Sequence, residues 1–167
     1  GKSQNGLYGD ATEELDWSMG VLLETLKEEG LDQNTLVIFT SDNGADEHFG
    51  GTNRPLRGQK GTTYEGGFRV PCIMRWPAKI PAGQETDNLV TSMDFLPTLA
   101  HYCGYAVPSD RVIDGHNVSG ILEGESMASP TETFYYYQKQ QLQAVRWGNW
   151  KYEGTYQRPS LPGYGSR

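Results

Sequence analysis

The sequence predicts an α/β fold in which helices pack against a sheet. Apolar residues recur every three or four positions between Asp10 and Gly30, a spacing that predicts an amphipathic helix. A short apolar run, Leu36–Thr40, and a second run, Phe68–Trp76, predict two strands. A second helix is expected to follow Asp94. Helix, strand, strand and helix in this order are typical of a layered α/β structure.

Capping and breaking residues place the ends of the two helices. Asp10 is expected to cap the first helix, and Gly30 to end it by adopting a left-handed conformation. Asp94 is expected to cap the second helix, with Pro97 in its first turn, where the missing N–H costs nothing. Gly104 is expected to end that helix.

The C-terminal part of the sequence has a different pattern. Thr133–Gln138 and Leu142–Trp147 are aromatic and β-branched, with polar residues between them, which predicts a hairpin. Asn149–Glu153 is expected to extend its sheet. We therefore divide the chain into the C-terminal part of an α/β domain, residues 1–130, and a small, incomplete antiparallel subdomain, residues 131–167.

Composition excludes some classes of function. The net charge is −7, which argues against binding nucleic acid, because phosphates need a basic surface. No apolar run is long enough to span a bilayer, and no signal peptide opens the chain. Two cysteines, Cys72 and Cys103, do not make a disulfide framework and are expected to be buried structural thiols.

The chemistry-bearing residues follow the first predicted strand. Asp42 and Asn43 come where that strand ends, and a carboxylate beside an amide oxygen suits a hard cation. The same dipeptide is also typical of an Asx turn that ends a strand. Lys60 lies between Gly58 and Gly61 on a glycine-rich loop, where a cation suits a small oxyanion, although a solvated loop lysine has the same pattern. Together they predict a metal that holds an anionic ester, with a lysine alongside.

Two motifs in this order resemble one enzyme family. Ser41–Gly44 (SDNG) followed by Gly58–Gly67 (GQKGTTYEGG) is similar to the type I sulfatases, and most similar to the branch of arylsulfatase A and N-acetylgalactosamine-6-sulfatase. Each motif alone is weak, whereas the pair is specific. The resemblance extends from Tyr8 to about Tyr152. It implies an alkaline-phosphatase-like sulfatase fold, with part of the central sheet, flanking helices and a small antiparallel C-terminal subdomain.

The resemblance also implies a reaction and roles for three residues. The expected activity is hydrolysis of a sulfuric ester on a small molecule or a glycan. Asp42 and Asn43 match family metal ligands, usually for Ca²⁺, with Mg²⁺ less expected. Lys60 matches the lysine that contacts the sulfate group, so it is assigned to substrate binding and catalysis. A family member would be periplasmic, secreted or lysosomal.

The family nucleophile is not found in this sequence. It is a formylglycine made from Cys or Ser in a C/S-x-P-x-R motif, and neither Cys72 nor Cys103 fits that motif. We therefore expect the chain to be the C-terminal portion of a sulfatase, inactive by itself. His48, between the two motifs, could border the cleft, but a lone histidine without a partner is a weak catalytic candidate.

Two alternatives remain open at the level of sequence. One is a related metal-dependent phosphodiesterase or phosphonate hydrolase, which a different nucleophile motif and second set of metal ligands would distinguish. The other is a non-catalytic binding module that keeps a sulfatase-like surface. An upstream reading frame with the nucleophile motif would remove the second alternative.

Overall fold

The computed structural model describes residues 2–126 and 128–154. The chain divides into two compact units, Gly1–Thr131 and Glu132–Arg167. The helices and strands of the first unit are α1 Gly6–Glu28, β1 Val37–Thr40, α2 Glu65–Phe68, β2 Cys72–Arg75, α3 Phe95–Tyr102 and α4 Ser119–Leu122. Three short 3₁₀ turns accompany them: Asp32–Asn34, Glu47–Phe49 and Ser92–Asp94. The strands of the second unit are β3 Thr133–Gln138, β4 Gln141–Trp147 and β5 Trp150–Glu153.

Helix α1 begins before Asp10, so the expected cap is wrong. The Asp10 carboxylate lies inside the helix and accepts hydrogen bonds from the backbone N–H groups of Lys2 and Ser3, each at 2.8 Å. These two bonds, with Ser3 the stronger influence, hold the pKa of Asp10 below its usual range. Asp10 therefore fastens the segment before the helix instead of starting it.

The other end of α1 is as predicted, but the packing of its apolar stripe is not. Gly30 has a φ of 70°, and the Leu31 N–H reaches the Leu26 carbonyl at 2.9 Å, which is a Schellman end. Leu15 is 53% exposed and Trp17 is 68% exposed. The expected packing of this stripe on a sheet is therefore not found within the described residues.

Strands β1 and β2 pair in antiparallel order, with Val37 opposite Arg75 and Thr40 opposite Cys72. Strand β1 is half-exposed along Val37–Phe39 instead of fully buried. The second strand begins four residues later than Phe68, because Glu65–Phe68 forms a helical turn and Pro71 has no N–H for a ladder.

The two cysteines are free and exposed, so the expectation of buried thiols is wrong. Cys72 begins the short strand β2, and Cys103 follows the last residue of α3. Neither position is enclosed by a second layer within the described residues, and both thiols therefore remain on the surface.

Asp94 is the N-cap residue of α3, as predicted, but its side chain makes no capping hydrogen bond to that helix. The carboxylate instead completes a capping box of the preceding 3₁₀ turn, whose cap is Thr91: Asp94 accepts the Thr91 backbone N–H at 2.7 Å and its hydroxyl at 3.1 Å. Asp94 is 1% exposed and also accepts the His116 N–H at 2.7 Å. The helix ends at Gly104, as predicted, with a φ of 72°. Asp94 is thus a buried link between α3 and the segment that leads to α4.

The second unit is a three-stranded antiparallel sheet with the order β3-β4-β5, so the predicted hairpin and its extension are confirmed. Tyr136 is 3% exposed and Ala144 is 1% exposed, and the two residues lie opposite each other in the ladder. The Lys151 ammonium lies 3.7 Å from the Tyr136 ring centroid. Within the described residues, no helix has the length and apolar character needed to cross a bilayer.

A bidentate ion pair fastens the end of β2 to the turn that precedes β1. Arg75 Nη1 donates to Asp32 Oδ1 at 2.6 Å, and Nη2 donates to Oδ2 at 3.2 Å. The Trp76 indole N–H donates to the Gln33 carbonyl at 3.1 Å beside it. The Arg75 hydrogen bonds hold the pKa of Asp32 below its usual range.

We expect Asp32→Asn to lower the melting temperature at neutral pH, and we expect the size of this decrease to depend on pH. A carboxyl whose pKa is depressed by folding stabilises the protein above its unfolded pKa, and that contribution is lost as pH falls through the folded pKa. The difference between wild type and variant should therefore shrink at acid pH, as thermal unfolding at a series of pH values would show. The control is Asp110→Asn, because Asp110 pairs with its neighbour Arg111 at 2.7 Å and that pair can also form in the unfolded chain. A loss of stability that is independent of pH would contradict this role for Asp32.

Candidate metal and anion site

The two motifs meet through their backbones. The Gly44 N–H donates to the Gly67 carbonyl at 3.0 Å, immediately after β1 ends. A Cβ on Gly44 would collide with the Gly66 carbonyl oxygen, and a Cβ on Gly66 would collide with the carbonyl oxygen of Gly58. Only glycine permits this approach, because any side chain would have to occupy the space of a peptide group. The glycines of both motifs therefore bring the exit of β1 against the loop that carries Lys60.

A second set of hydrogen bonds reinforces this contact. The Lys60 N–H donates to the Ala45 carbonyl at 3.2 Å. Asn53 clamps the same residue, since its Oδ1 accepts the Ala45 N–H at 2.7 Å and its Nδ2 donates to the Ala45 carbonyl at 2.8 Å. Sequence reasoning missed Asn53, because an asparagine in a long loop carries no signal for a distant backbone partner.

The loop around Lys60 is closed on itself. Gly58 and Gly61 have φ values of 85° and 83°, a left-handed conformation that favours glycine. The Thr62 hydroxyl donates to the Gln59 carbonyl at 2.7 Å and accepts the Gln59 N–H at 3.2 Å. Lys60 lies within this turn and is exposed. Its position is set by the turn, while its ammonium remains accessible.

The side chains of Asp42 and Asn43 are available as oxygen ligands. Asp42 is exposed and Asn43 is half-exposed, and the Ser41 hydroxyl closes the local turn by donating to the Asn43 carbonyl at 2.8 Å. Across residues 2–126 and 128–154, no hydrogen bond or ion pair engages the Asp42 carboxylate, the Asn43 amide or the Lys60 ammonium. A carboxylate and an amide oxygen fit a hard cation such as Ca²⁺.

These two residues fit one part of a ligand set. Ca²⁺ takes about 6–8 oxygen ligands, with several carboxylates at tight sites. Nowhere in the described parts of the chain do three or more His, Cys, Asp or Glu side chains gather to hold a metal. Asp42 and Asn43 can therefore share a cation with other groups but do not form a complete site between them.

The segment between the motifs carries a carboxylate, Asp46, that interacts electrostatically with Lys60. Asp46 accepts hydrogen bonds from both the ring Nδ1 and the backbone N–H of His48, at 2.9 Å and 3.0 Å. These bonds, with a smaller contribution from the charge of Lys60, hold the pKa of Asp46 below its usual range. The Glu47 N–H donates to Gln59 Oε1 at 3.0 Å. His48 therefore has the partner that the sequence did not reveal, and its turn is tied to the lysine loop.

Two of the three arginines near the motifs, Arg57 and Arg69, are engaged elsewhere. The Arg57 guanidinium lies 4.0 Å above the Tyr64 ring and donates to the Tyr64 hydroxyl at 3.0 Å. Arg69, expected inside a strand, instead follows α2, is exposed and pairs with Asp87 at 3.1 Å. Among the described residues, Lys60 and Arg54 are thus the cations of this region whose side chains the fold leaves accessible without a hydrogen-bonded partner, and of the two only Lys60 lies in the second motif.

The first unit thus places two oxygen-bearing side chains, Asp42 and Asn43, and the accessible Lys60 on neighbouring segments. Residues 2–105 match the family model described as Sulfatase. The chain belongs to the sulfatase family. As predicted, its first unit is part of an α/β sulfatase domain with an alkaline-phosphatase-like fold.

Named relatives and a solved structure agree with this assignment. Human steryl-sulfatase is 46% identical over 88% of this chain and 27% of its own length. The N-acetylgalactosamine-6-sulfatase of Canis lupus familiaris is 42% identical over 90% of this chain and 29% of its own length. The crystal structure of Ps i-CgsB in complex with k-i-k-neocarrahexaose superposes with a TM-score of 0.82 at 32% identity, over 95% of this chain and 36% of that one. The chain thus spans little more than a quarter of the curated relatives that it matches.

We expect Gly44→Ala to separate the two motifs and destabilise the first unit. The new methyl group must displace the Gly66 peptide, a steric change of the kind that costs about 2 kcal/mol or more. Chemical unfolding would measure the loss. Gly20→Ala in α1 is the matched control, because nothing lies within 4 Å of a Cβ at Gly20. That control should be neutral or stabilise by about 0.5–1 kcal/mol through helix propensity. Equal effects of the two substitutions would contradict the close backbone contact.

Proposed function

We propose that the complete protein hydrolyses a sulfuric ester and that this chain supplies part of its metal and sulfate site. The observation that carries the proposal is the backbone contact of Gly44 with the Gly66–Gly67 segment. That contact brings the segment that carries Asp42 and Asn43 against the loop that presents Lys60, which supports a shared site. Family membership supports the reaction class, since the named relatives are sulfatases.

Each of the three residues has a role that follows from its chemistry. Asp42 and Asn43 bind a divalent cation through side-chain oxygens. Ca²⁺ is favoured over Mg²⁺, which demands a stricter octahedral geometry and retains more of its water. When bound, the cation supplies positive charge against the sulfate oxygens. Lys60 donates to the same sulfate group and stabilises the negative charge that develops as the S–O bond breaks.

The nucleophile belongs to the part of a sulfatase domain that this chain does not represent. Cys72 and Cys103 lie outside a C-x-P-x-R motif, and the motif that would provide a formylglycine is not found in the sequence. We infer that the chain alone does not turn over substrate. Its contribution is to bind and orient the sulfate group through Lys60 and the cation ligands.

The proposed substrates are sulfated small molecules or sulfated glycans. Support comes from the names of the relatives, one a steryl-sulfatase and one an N-acetylgalactosamine-6-sulfatase, and from the hexaose in the superposed crystal structure. A periplasmic, secreted or lysosomal location would suit an enzyme of this class.

We expect Lys60→Ala in the complete enzyme to lower kcat/KM for an aryl sulfate by about 10²-fold or more. Such a change corresponds to roughly 2.7 kcal/mol of lost transition-state stabilisation. Steady-state kinetics on 4-nitrophenyl sulfate would measure it. Lys27→Ala is the control, because Lys27 is an exposed lysine of α1 that pairs with Glu24 at 3.3 Å and lies outside both motifs. Unchanged turnover in a folded Lys60→Ala variant would remove Lys60 from the mechanism.

A further inference from the structure

The turn Glu47–Phe49, between the two motifs, presents an imidazole and a phenyl ring to solvent. The His48 side chain is 79% exposed, and Phe49 is 77% exposed. Neither ring belongs to the metal and sulfate groups already described, and both lie on a turn that is hydrogen-bonded to the residue before Lys60.

The turn is held in place by contacts on each side. The Asp46 carboxylate accepts hydrogen bonds from the backbone N–H and the ring Nδ1 of His48. The Glu47 N–H donates to the side chain of Gln59, the residue before Lys60. Gly50 ends the turn in a left-handed conformation with a φ of 91°. The next residue, Gly51, packs so closely that a Cβ there would lie 3.1 Å from Tyr8 Cζ. Because the turn is already ordered, ligand binding there would cost little conformational entropy.

The hydrogen bond to Asp46 also fixes which ring nitrogen of His48 is available. Nδ1 is engaged by the carboxylate, so Nε2 is the free edge of the ring. Nε2 can accept from a hydroxyl when the imidazole is neutral and donate to an oxygen when it is protonated. A polar edge beside an apolar aromatic face suits a sugar, which carries hydroxyl groups on its rim and C–H groups on its faces. A sterol or a simple aryl group would leave the His48 edge without a partner.

We propose that His48 and Phe49 bind the carbohydrate part of a sulfated saccharide whose sulfate group lies against Lys60. The inference rests on the proposed function and narrows it to sulfated glycans. The observation that supports this proposal is that one segment, Gln59–Lys60, both holds the turn Glu47–Phe49 by a hydrogen bond and presents the lysine. The two side chains contact the leaving-group sugar, so they set KM and specificity and take no part in breaking the S–O bond.

The test compares two kinds of substrate in the complete enzyme. Phe49→Ala and His48→Gln are assayed on 4-nitrophenyl sulfate and on a panel of monosulfated mono- and disaccharides. We expect each substitution to raise KM for the best saccharide by about tenfold with kcat unchanged, while kinetics on 4-nitrophenyl sulfate stay the same. Tyr105→Ala and His101→Gln are matched controls, because Tyr105 is 75% exposed and His101 is exposed on α3. We expect both control substitutions to leave KM and kcat unchanged on both kinds of substrate.

Three outcomes would overturn the inference. Equal losses on both substrates, or a lowered melting temperature, would show that the turn is covered by other parts of the enzyme and acts structurally. An unchanged KM for every saccharide would show that the turn lies outside the substrate path. If the enzyme hydrolyses 4-nitrophenyl sulfate but none of the sulfated saccharides, the proposed saccharide substrate is wrong, while the proposed sulfatase activity is retained.

Discussion

The close backbone contact between the glycines of the two motifs is the constraint on which the candidate site depends. Gly44 meets the Gly66 carbonyl, and Gly66 in turn meets the Gly58 carbonyl, each at a distance that leaves no space for a side chain. Two loops that are well separated in the chain thereby become neighbours through direct contact of their peptide groups. Ala45 then anchors Lys60 and Asn53 by hydrogen bonds. The geometry of the site is thus set by peptide groups, which have fewer ways to rearrange than side chains.

This constraint explains why the accessible groups can carry function. Side chains that hold a fold together are engaged, as Arg57 is by Tyr64 and Arg75 is by Asp32. Asp42, Asn43 and Lys60 have no such duty among the described residues, because backbone contacts position them. A cation and an anion placed between these groups would satisfy both the carboxylate and the ammonium.

Local signals in the sequence predicted the elements that depend on local chemistry. Gly30 and Gly104 end their helices as predicted, since a left-handed terminus requires only the residue itself and its neighbours. The hairpin of the second unit was predicted from alternation and its polar turn. The candidate site residues came from two motifs, and the close contact between the glycines of these motifs is known only from the structure.

The errors lie where distant residues decide the outcome. Asp10 is a residue type that often caps helices, but its carboxylate accepts two N–H groups from the segment before α1. Asp94 has the predicted N-cap position of α3, but its carboxylate binds Thr91 and the distant His116 instead of capping that helix. Strand β2 starts late because the Glu65–Phe68 turn is needed for the glycine contact. The apolar stripe of α1 predicts a packing partner that the described residues do not provide, in a chain that spans only 27% of steryl-sulfatase.

The central claim is that one shared anion links the cation ligands to Lys60, and the coupling of calcium and sulfate binding tests it most directly. In the complete protein, calorimetric titration with Ca²⁺ would be run with and without saturating inorganic sulfate. The account predicts tighter Ca²⁺ binding when sulfate is present, and an equal gain in sulfate affinity when Ca²⁺ is present. It also predicts that Lys60→Ala weakens sulfate binding while Ca²⁺ binding without sulfate is kept. Identical calcium affinity with and without sulfate would contradict a site in which the two ligands meet.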